Sequence, residues 1–236
     1  MNEKKKRSKP HLVIFSGSGM SAESGLKTFR DNDGLWENHE VTDVATPEAW
    51  LRDPELVLRF YNMRRKQLLA AKPNKAHRLA ADLESDFRVS VITQNIDDLH
   101  EKAGSTEVMH LHGELRKVQS EKYPQLVYDW EKESIELGDT CEKGYQLRPH
   151  VVWFGESVPM IPKAYELAAK ADIFIVIGTS LNVYPAAGIV NFVPPTAECY
   201  LIDPNISADL VPEDWTILKT TAGKGMEVLK NELNKA

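Results

Sequence analysis

Several sets of residues in this chain have the types and spacing to do chemistry. The first is Gly17-x-Gly19-x-x-Ala22, directly after the apolar run Leu12 to Phe15. Glycines so placed let the backbone turn tightly and approach a pyrophosphate, and amides opening the next helix face the anion. The pattern alone fits equally well a turn that joins strand to helix and binds nothing. A dense polar run beside it, Ser21, Glu23, Ser24, Thr28, Arg30, Asp31 and Asp33, favours a ligand. A loop that only connects two elements is usually shorter and less varied. The second set, Gln94-Asn95-Ile96-Asp97, continues straight from the β-branched run Arg88 to Thr93. Polar groups at the end of a buried strand are where open α/β sheets hold ligands. The third is His110 and His112, which point the same way if they share a strand. Further ligands at metal spacing are missing, so zinc is the weaker reading of that pair. Tyr61 and Arg64 stand three apart and share a helix face. That spacing fits a solvated arginine beside a packing tyrosine as readily as a binding pair.

These residues need elements to position them. Leu12 to Phe15 reads as a buried strand. Asp53-Pro54 looks like a helix cap followed by proline in the first turn. The helix it opens, PELVLRFYNMRRKQLLA, presents Leu56, Val57, Phe60, Met63 and Leu68 as its buried stripe. His77 to Phe87 reads as a further helix, and Arg88 to Thr93 and Glu107 to Leu111 as strands. From Arg116 to Leu147 charge rises and Gly, Pro and Lys interrupt the pattern, marking a small inserted subdomain. Val151 to Phe154, Asp172 to Gly178 and Cys199 to Asp203 are three more strands. Two are near-continuous apolar runs, as strands covered on both faces must be. Helical stretches such as Lys163 to Ala171 alternate with them, and Gly223 to Asn234 reads as a closing helix. The alternation predicts an α/β fold with a doubly wound, Rossmann-like parallel sheet.

The chain has 236 residues, enough for one large domain or one domain with an insert. Its net charge of −6 argues against a nucleic-acid backbone as partner. The basic opening MNEKKKRS reads as a solvated terminus. Two cysteines, Cys141 and Cys199, can build neither a disulfide framework nor a CxxC zinc pair. That suits a reducing compartment. No run reaches membrane-spanning length and no secretion signal stands at the start, so no membrane association and a cytoplasmic location are expected.

Taken in order, the blocks GSGMSAESGLKTFR, TQNIDDLHEKAG, HLHGEL, RPHVVWFGE and IGTSLNVYPAAG closely resemble the signature blocks of the sirtuins, NAD-dependent protein-lysine deacylases. The resemblance covers nearly all of residues 11 to 230 and is strongest to small bacterial members. Ser18 departs from the usual GAG by one hydroxyl. The resemblance implies NAD as cofactor, cleavage of the nicotinamide–ribose bond and transfer of an acyl group from lysine to the ribose. In that chemistry the acyl oxygen attacks the anomeric carbon. His112 then matches the general base that removes a ribose hydroxyl proton, a task suited to an imidazole titrating near neutrality. Asn95 and Asp97 match the groups that hold the ribose and the nicotinamide amide, with Gln94 and Ile96 beside them. Gly17, Ser18, Gly19, Ala22, Glu23 and Thr28 match the first cofactor loop. Phe29 and Arg30 match the flap over the reactive ribose, and Trp36 closes that block. Gly178, Thr179 and Ser180 match the phosphate and adenosine-ribose loop, and Ala222 a contact near adenine. Asp203 and Asn205 stand where relatives often carry Asn-x-Glu, a departure. Phe154, Gly155 and Glu156 on one side, and Asn182 and Val183 on the other, match the edges between which an acyl-lysine protein substrate adds as a strand.

Two further points follow from the resemblance. Most sirtuins carry four zinc cysteines in the small domain. Here only Cys141 remains, and one thiolate cannot close a tetrahedral site. A zinc-free subdomain packed around Tyr128, Trp130 and Tyr145 is therefore expected. Tyr61-x-x-Arg64 matches the pair that marks sirtuins acting on succinyl- and malonyl-lysine. A guanidinium can pair bidentately with a distal carboxylate, and a phenol can add a hydrogen bond. The implied organisation is a flexible 1–10; a Rossmann-like domain from 11–38, 73–115 and 149–236; a helical insert with the acyl pocket at 39–72; and a small subdomain at 116–148. The rivals are an NAD-linked dehydrogenase, a deacetylase without acidic-acyl preference, and a non-catalytic binder of NAD or ADP-ribose. A dehydrogenase wants an acidic residue ending a second strand, and Glu37 to Asp43 has no strand before it.

Overall fold

A computed structural model describes residues 9–28, 39–206 and 210–234. Three of the predicted cofactor residues, Phe29, Arg30 and Trp36, lie outside them. In chain order the elements are β1 (His11–Ser16), α1 (Gly19–Ala22), α2 (Val41–Val44), α3 (Pro47–Arg52), α4 (Pro54–Ala70), α5 (Lys75–Asp82), β2 (Arg88–Thr93), α6 (Leu99–Ala103), β3 (Val108–His110), β4 (Gly113–Ser120), β5 (Val127–Asp129), β6 (Leu147–Val151), α7 (Ile161–Ala168), β7 (Ile173–Ile177), β8 (Glu198–Ile202), β9 (Thr216–Leu218) and α8 (Ala222–Leu233).

Among the described residues, six strands form one parallel sheet in the order β3-β2-β1-β7-β8-β9. Side chains alternate across a strand, and here both faces are covered. Leu12 and Ile14 of β1 join Ile173, Ile175 and Ile177 under α5 and α8. Val13 and Phe15 join Phe174 and Val176 beneath α7 and the 3-10 turn Ala186–Phe192. Each fully buried side chain of this kind contributes about 1.5–3 kcal/mol. The edge strands β3 and β9 are three residues each, short enough to offer little template for foreign pairing. From β1 the chain builds outward to β2 and β3, then returns to lay β7 on the other side of β1. That reversal opens a crevice beyond the carboxyl ends of β1 and β7.

A second sheet is antiparallel, in the order β5-β4-β6. Its core residues Leu115, Val118, Ile135, Cys141 and Leu147 pack in one cluster with Trp50, Val57, Phe60, Tyr61 and Leu68 of α3 and α4. The helical insert and the small sheet thus share a core. The expected boundary at 115/116 falls inside β4, which starts at Gly113.

Three sequence expectations need correction. Val151 to Phe154 is not a strand of the parallel sheet: β6 ends at Val151 in the small sheet, and Trp153 sits in the turn that follows. Trp153 leaves the strand because its ring is buried against Trp50 and Tyr61. The stripe of α4 is broader than drawn. Met63 is exposed, while Leu58, Tyr61, Arg64 and Arg65 are buried, because the helix packs against both the small sheet and the crevice. The strands β4 and β9 escaped the sequence reading; β4 is rich in Lys, Arg and Glu, and β9 is only three residues long. Asp53 caps α4 as its position before Pro54 predicts: the side chain accepts from Leu56 N at 2.9 Å, worth about 1 kcal/mol.

Candidate functional site

The crevice is a cavity of about 460 Å³, within the range for small-molecule sites. Its floor is made by two interlocked loops. Gly17 N donates to Ile177 O at 3.0 Å and Gly19 N to Gly178 O at 2.8 Å. A Cβ on Gly17 would lie 2.7 Å from Gly178 O, and one on Gly178 only 2.2 Å from Met20 N. Gly178 also has φ +63°. Only glycine lets these backbones pass so closely.

The loop after β2 supplies the polar wall. Gln94 N donates to Ser16 O at 2.9 Å, and the Gln94 side chain to Thr179 Oγ1 at 3.0 Å. Asn95 Nδ2 donates to Gly17 O and to Ser21 Oγ, both at 3.1 Å. Ser21 in turn donates to Asp97 Oδ2 at 2.9 Å. Asn95, Ser21 and Asp97 are all buried, so this relay satisfies groups that would otherwise be costly. Burial pushes the Asp97 carboxyl above its usual range, against the pull of Ser21 and Leu99 N.

His112 lies in the bend between β3 and β4, with Nδ1 3.0 Å from the carbonyl of Gln94. A carbonyl only accepts, so Nδ1 carries the proton and Nε2 keeps its lone pair. Burial lowers the pKa of this ring, opposed by the Gln94 bond. Burial therefore favours the neutral ring.

Thr179, Ser180, Asp203, Asn205 and Ala222 line the cavity as well. The Asp203 carboxylate accepts from Asn205 N at 2.8 Å. Glu23, which also lines the cavity, accepts from Gly223 N at 2.7 Å and tethers the first turn of α8 to the first loop. Tyr61 and Arg64 from α4, with Phe154, Gly155, Glu156 and Val183, also line the cavity. Of the described residues assigned from sequence, Asn182 alone is absent from the lining; it is exposed.

Sequence reasoning missed Trp153. Its indole Nε1 donates to the Tyr61 hydroxyl at 3.1 Å. Its ring lies 3.6 Å from the Arg148 guanidinium, and Arg148 makes two 2.9 Å bonds to Glu156. The signal was a lone tryptophan before Phe-Gly, which cannot reveal partners 92 residues away. Ser21 was noted as polar, but its bridging role needed the loops after β1 and β2 to meet.

Where most sirtuins are expected to bind zinc, Cys141 Sγ contacts Ser120 Oγ at 3.3 Å. Tyr123 and Tyr145 meet edge to face at 5.4 Å, with Lys143 over Tyr123 and Lys122 over Tyr145. Tyr128 and Trp130 pack against the same cluster as Cys141. Among the described residues no group of three His, Cys, Asp or Glu side chains could hold a metal ion. No described helix is long and apolar enough to cross a membrane.

Comparison with known proteins gives a consistent picture. Residues 17–185 match the model of the Sir2 family. The chain is 53% identical over 228 residues to an NAD-dependent protein deacylase of Bacteroides thetaiotaomicron, covering 94% of this chain and 97% of that one. It is 50% identical to an NAD-dependent protein deacylase of Helicobacter pylori, covering 94% and 97%. The crystal structure of a Sir2 homologue–NAD complex superposes with a TM-score of 0.86 at 38% identity, covering 96% of this chain and 90% of that one. With the family model spanning most of its length and half its residues shared with such relatives, the chain belongs to the Sir2 family.

Proposed function

We propose that this chain is an NAD-dependent protein-lysine deacylase that prefers succinyl and malonyl groups over acetyl, with His112 as general base. The observation that carries this reading is the hydrogen bond from His112 Nδ1 to Gln94 O. It commits Nε2 to act as a base in a cavity that both glycine loops and the Tyr61–Arg64 pair line. The cavity suits a dinucleotide: close-approach glycines, a buried amide and carboxylate, and the hydroxyls of Thr179 and Ser180 all line it.

NAD supplies an electrophilic anomeric carbon and the 2′-hydroxyl that receives the acyl group. The protein's residues do the rest. Gly17, Ser18, Gly19, Thr179 and Ser180 would hold phosphates and the adenosine ribose, with Ala22, Glu23, Asp203, Asn205 and Ala222 around the adenosine end. Asn95 and Asp97 would orient the nicotinamide ribose, with Gln94 and Ile96 beside them and Thr28 near the flap. His112 would take a hydroxyl proton. A positioned base of matched pKa contributes about 10²–10⁴-fold. The substrate peptide would lie as a strand between Phe154–Glu156 and Asn182–Val183, its acyl-lysine reaching past Trp153. Tyr61 and Arg64 are buried where that acyl chain would end, and a guanidinium there favours a distal carboxylate. Burial keeps the Tyr61 phenol protonated. Both cysteines are free thiols, in keeping with a reducing, cytoplasmic setting.

The test is a parallel assay of acetyl-, succinyl- and malonyl-lysine peptides with NAD, with mass spectrometry of the products. O-acyl-ADP-ribose and nicotinamide should appear, with higher kcat/KM for the acidic acyl groups. Equal kcat/KM for all three would remove the acyl preference, and no turnover of any would remove the enzyme.

A further inference from the structure

His110 stands two residues before the proposed base and has been given no role. Its surroundings match those of His112 in one respect. His112 Nδ1 bonds the carbonyl of Gln94, and His110 Nδ1 bonds the carbonyl of Asn95, both at 3.0 Å. Two imidazoles thus grip successive carbonyls of the loop that carries Asn95 and Asp97. They differ at the other nitrogen. His110 Nε2 lies 2.7 Å from Glu101 Oε1 on α6.

Both neighbours of His110 can only accept. A carbonyl oxygen has no proton, and an ionised carboxylate has none either. Each ring nitrogen must therefore carry a hydrogen, and the ring that satisfies both partners is the imidazolium. Its side chain is 8% exposed, so water cannot readily substitute for either partner. Loss of one proton would leave a lone pair on Nδ1 facing the Asn95 carbonyl, since the charge-assisted bond to Glu101 is the stronger of the two.

We infer that His110 is a positioning residue for the deacylation reaction: held as an imidazolium between Glu101 and the Asn95 carbonyl, it fixes the Asn95–Asp97 loop, and its deprotonation sets the alkaline limit of activity. The inference rests on the proposed function in taking that loop as the ribose-binding one. Burial works against the charged ring, but the Glu101 bond and charge and the Asn95 carbonyl outweigh it and raise its pKa. The other titratable groups facing it are Asp97 after β2, His100 on α6, Glu114 on β4 and His150 on β6. Glu107 on the β3 side and Lys163 on α7 share a cleft with it. The two histidines then bound activity from opposite sides. His112 must be neutral and His110 charged, and their environments move the two pKa values apart.

Two measurements test this. Nitrogen-15 NMR of the imidazoles should find both His110 nitrogens protonated at pH 7.5 in the wild-type chain, and Glu101→Gln should move that titration down by about one pH unit. A neutral His110 ring at pH 7.5 would overturn the inference whatever the enzyme does. Against pH, kcat/KM for NAD should show an upper limb that falls by the same unit in Glu101→Gln. In His110→Gln, which can still donate one N–H but does not titrate, that limb should disappear and kcat/KM should drop about tenfold. An upper limb unmoved in both variants would reject the positioning role. A wild-type chain that binds ADP-ribose but deacylates nothing would instead reject the proposed function, and the NMR titration would still judge the charge on His110.

Discussion

In the six-stranded half, all six residues of β1 and all five of β7 are buried, and the floor of the cavity is backbone, where Gly17 and Gly19 pass Gly178 at contact distance. In the half built from α2–α4 and β4–β6, buried positions include Arg64, Arg65 and Arg148, and rings are stacked on cations. The first half shapes its site by how closely two backbones approach. The second shapes its site by the charge and reach of individual side chains. A site made of backbone tolerates almost no substitution but selects weakly among acyl groups. A site made of side chains can be retuned one residue at a time without unfolding the sheet. On the proposed reading, cofactor chemistry lies with the first and acyl choice with the second.

Several experiments would break or sharpen that contrast. The largest effect is expected where the halves meet. His112→Tyr should lower kcat by about 10³-fold while ADP-ribose binding by calorimetry is retained; equal loss of binding would mean that the ring is structural. Next is the backbone floor. Gly178→Ala places a methyl 2.2 Å from Met20 N at φ +63°. It should cost about 3 kcal/mol of stability, read as a fall in Tm of about 2–4 °C per kcal/mol for a chain of this size. An unchanged Tm would show that the two loops are not interlocked as described.

A third experiment concerns the neutral histidines under the sheet. Burial lowers the pKa of His77 to about 4 and holds His100 well below its ordinary value, and their rings meet at 4.9 Å. The unfolded chain binds protons at both sites from about pH 6.5 downward, whereas the folded chain does not. Stability should be full above that pH and fall as pH drops from about 6.5 toward 4, by about 3 kcal/mol from His77 alone. His77→Gln should flatten that slope in urea titrations; an equal slope would place the loss elsewhere.

The side-chain half should respond more selectively. Arg64→Met is expected to reduce desuccinylation by about 10–100-fold while deacetylation changes by less than about threefold. Parallel loss of both would return Arg64 to a packing role. The smallest effect is expected at the Tyr123–Tyr145 pair. Tyr145→Leu should cost about 1 kcal/mol without altering either activity, since the pair lies away from the cavity.

The centre of the parallel sheet was legible because β1 and β7 are continuous apolar runs followed by glycine, a pattern that needs no partner to be read. That Asn95 and Asp97 line the crevice was legible for a related reason: they follow directly on a buried strand. The small sheet was harder. In β4, GELRKVQS, Arg116 and Lys117 stand side by side and break the alternation, and its pairing with β6 spans an insert without strong periodicity. Met63 was misjudged because a helix packed on two sides has no single apolar stripe.

What the chain's order of residues determined on its own was local: which runs are strands, where backbone must turn through glycine, and which polar residues sit at strand ends. Tertiary structure alone decided which distant groups meet. Trp153 found Tyr61 across 92 positions, Glu23 reached the start of α8, and two histidines took hold of successive carbonyls. Local pattern follows from side-chain period and backbone freedom within a few residues. Partnership across the chain follows from packing, which depends on every element at once.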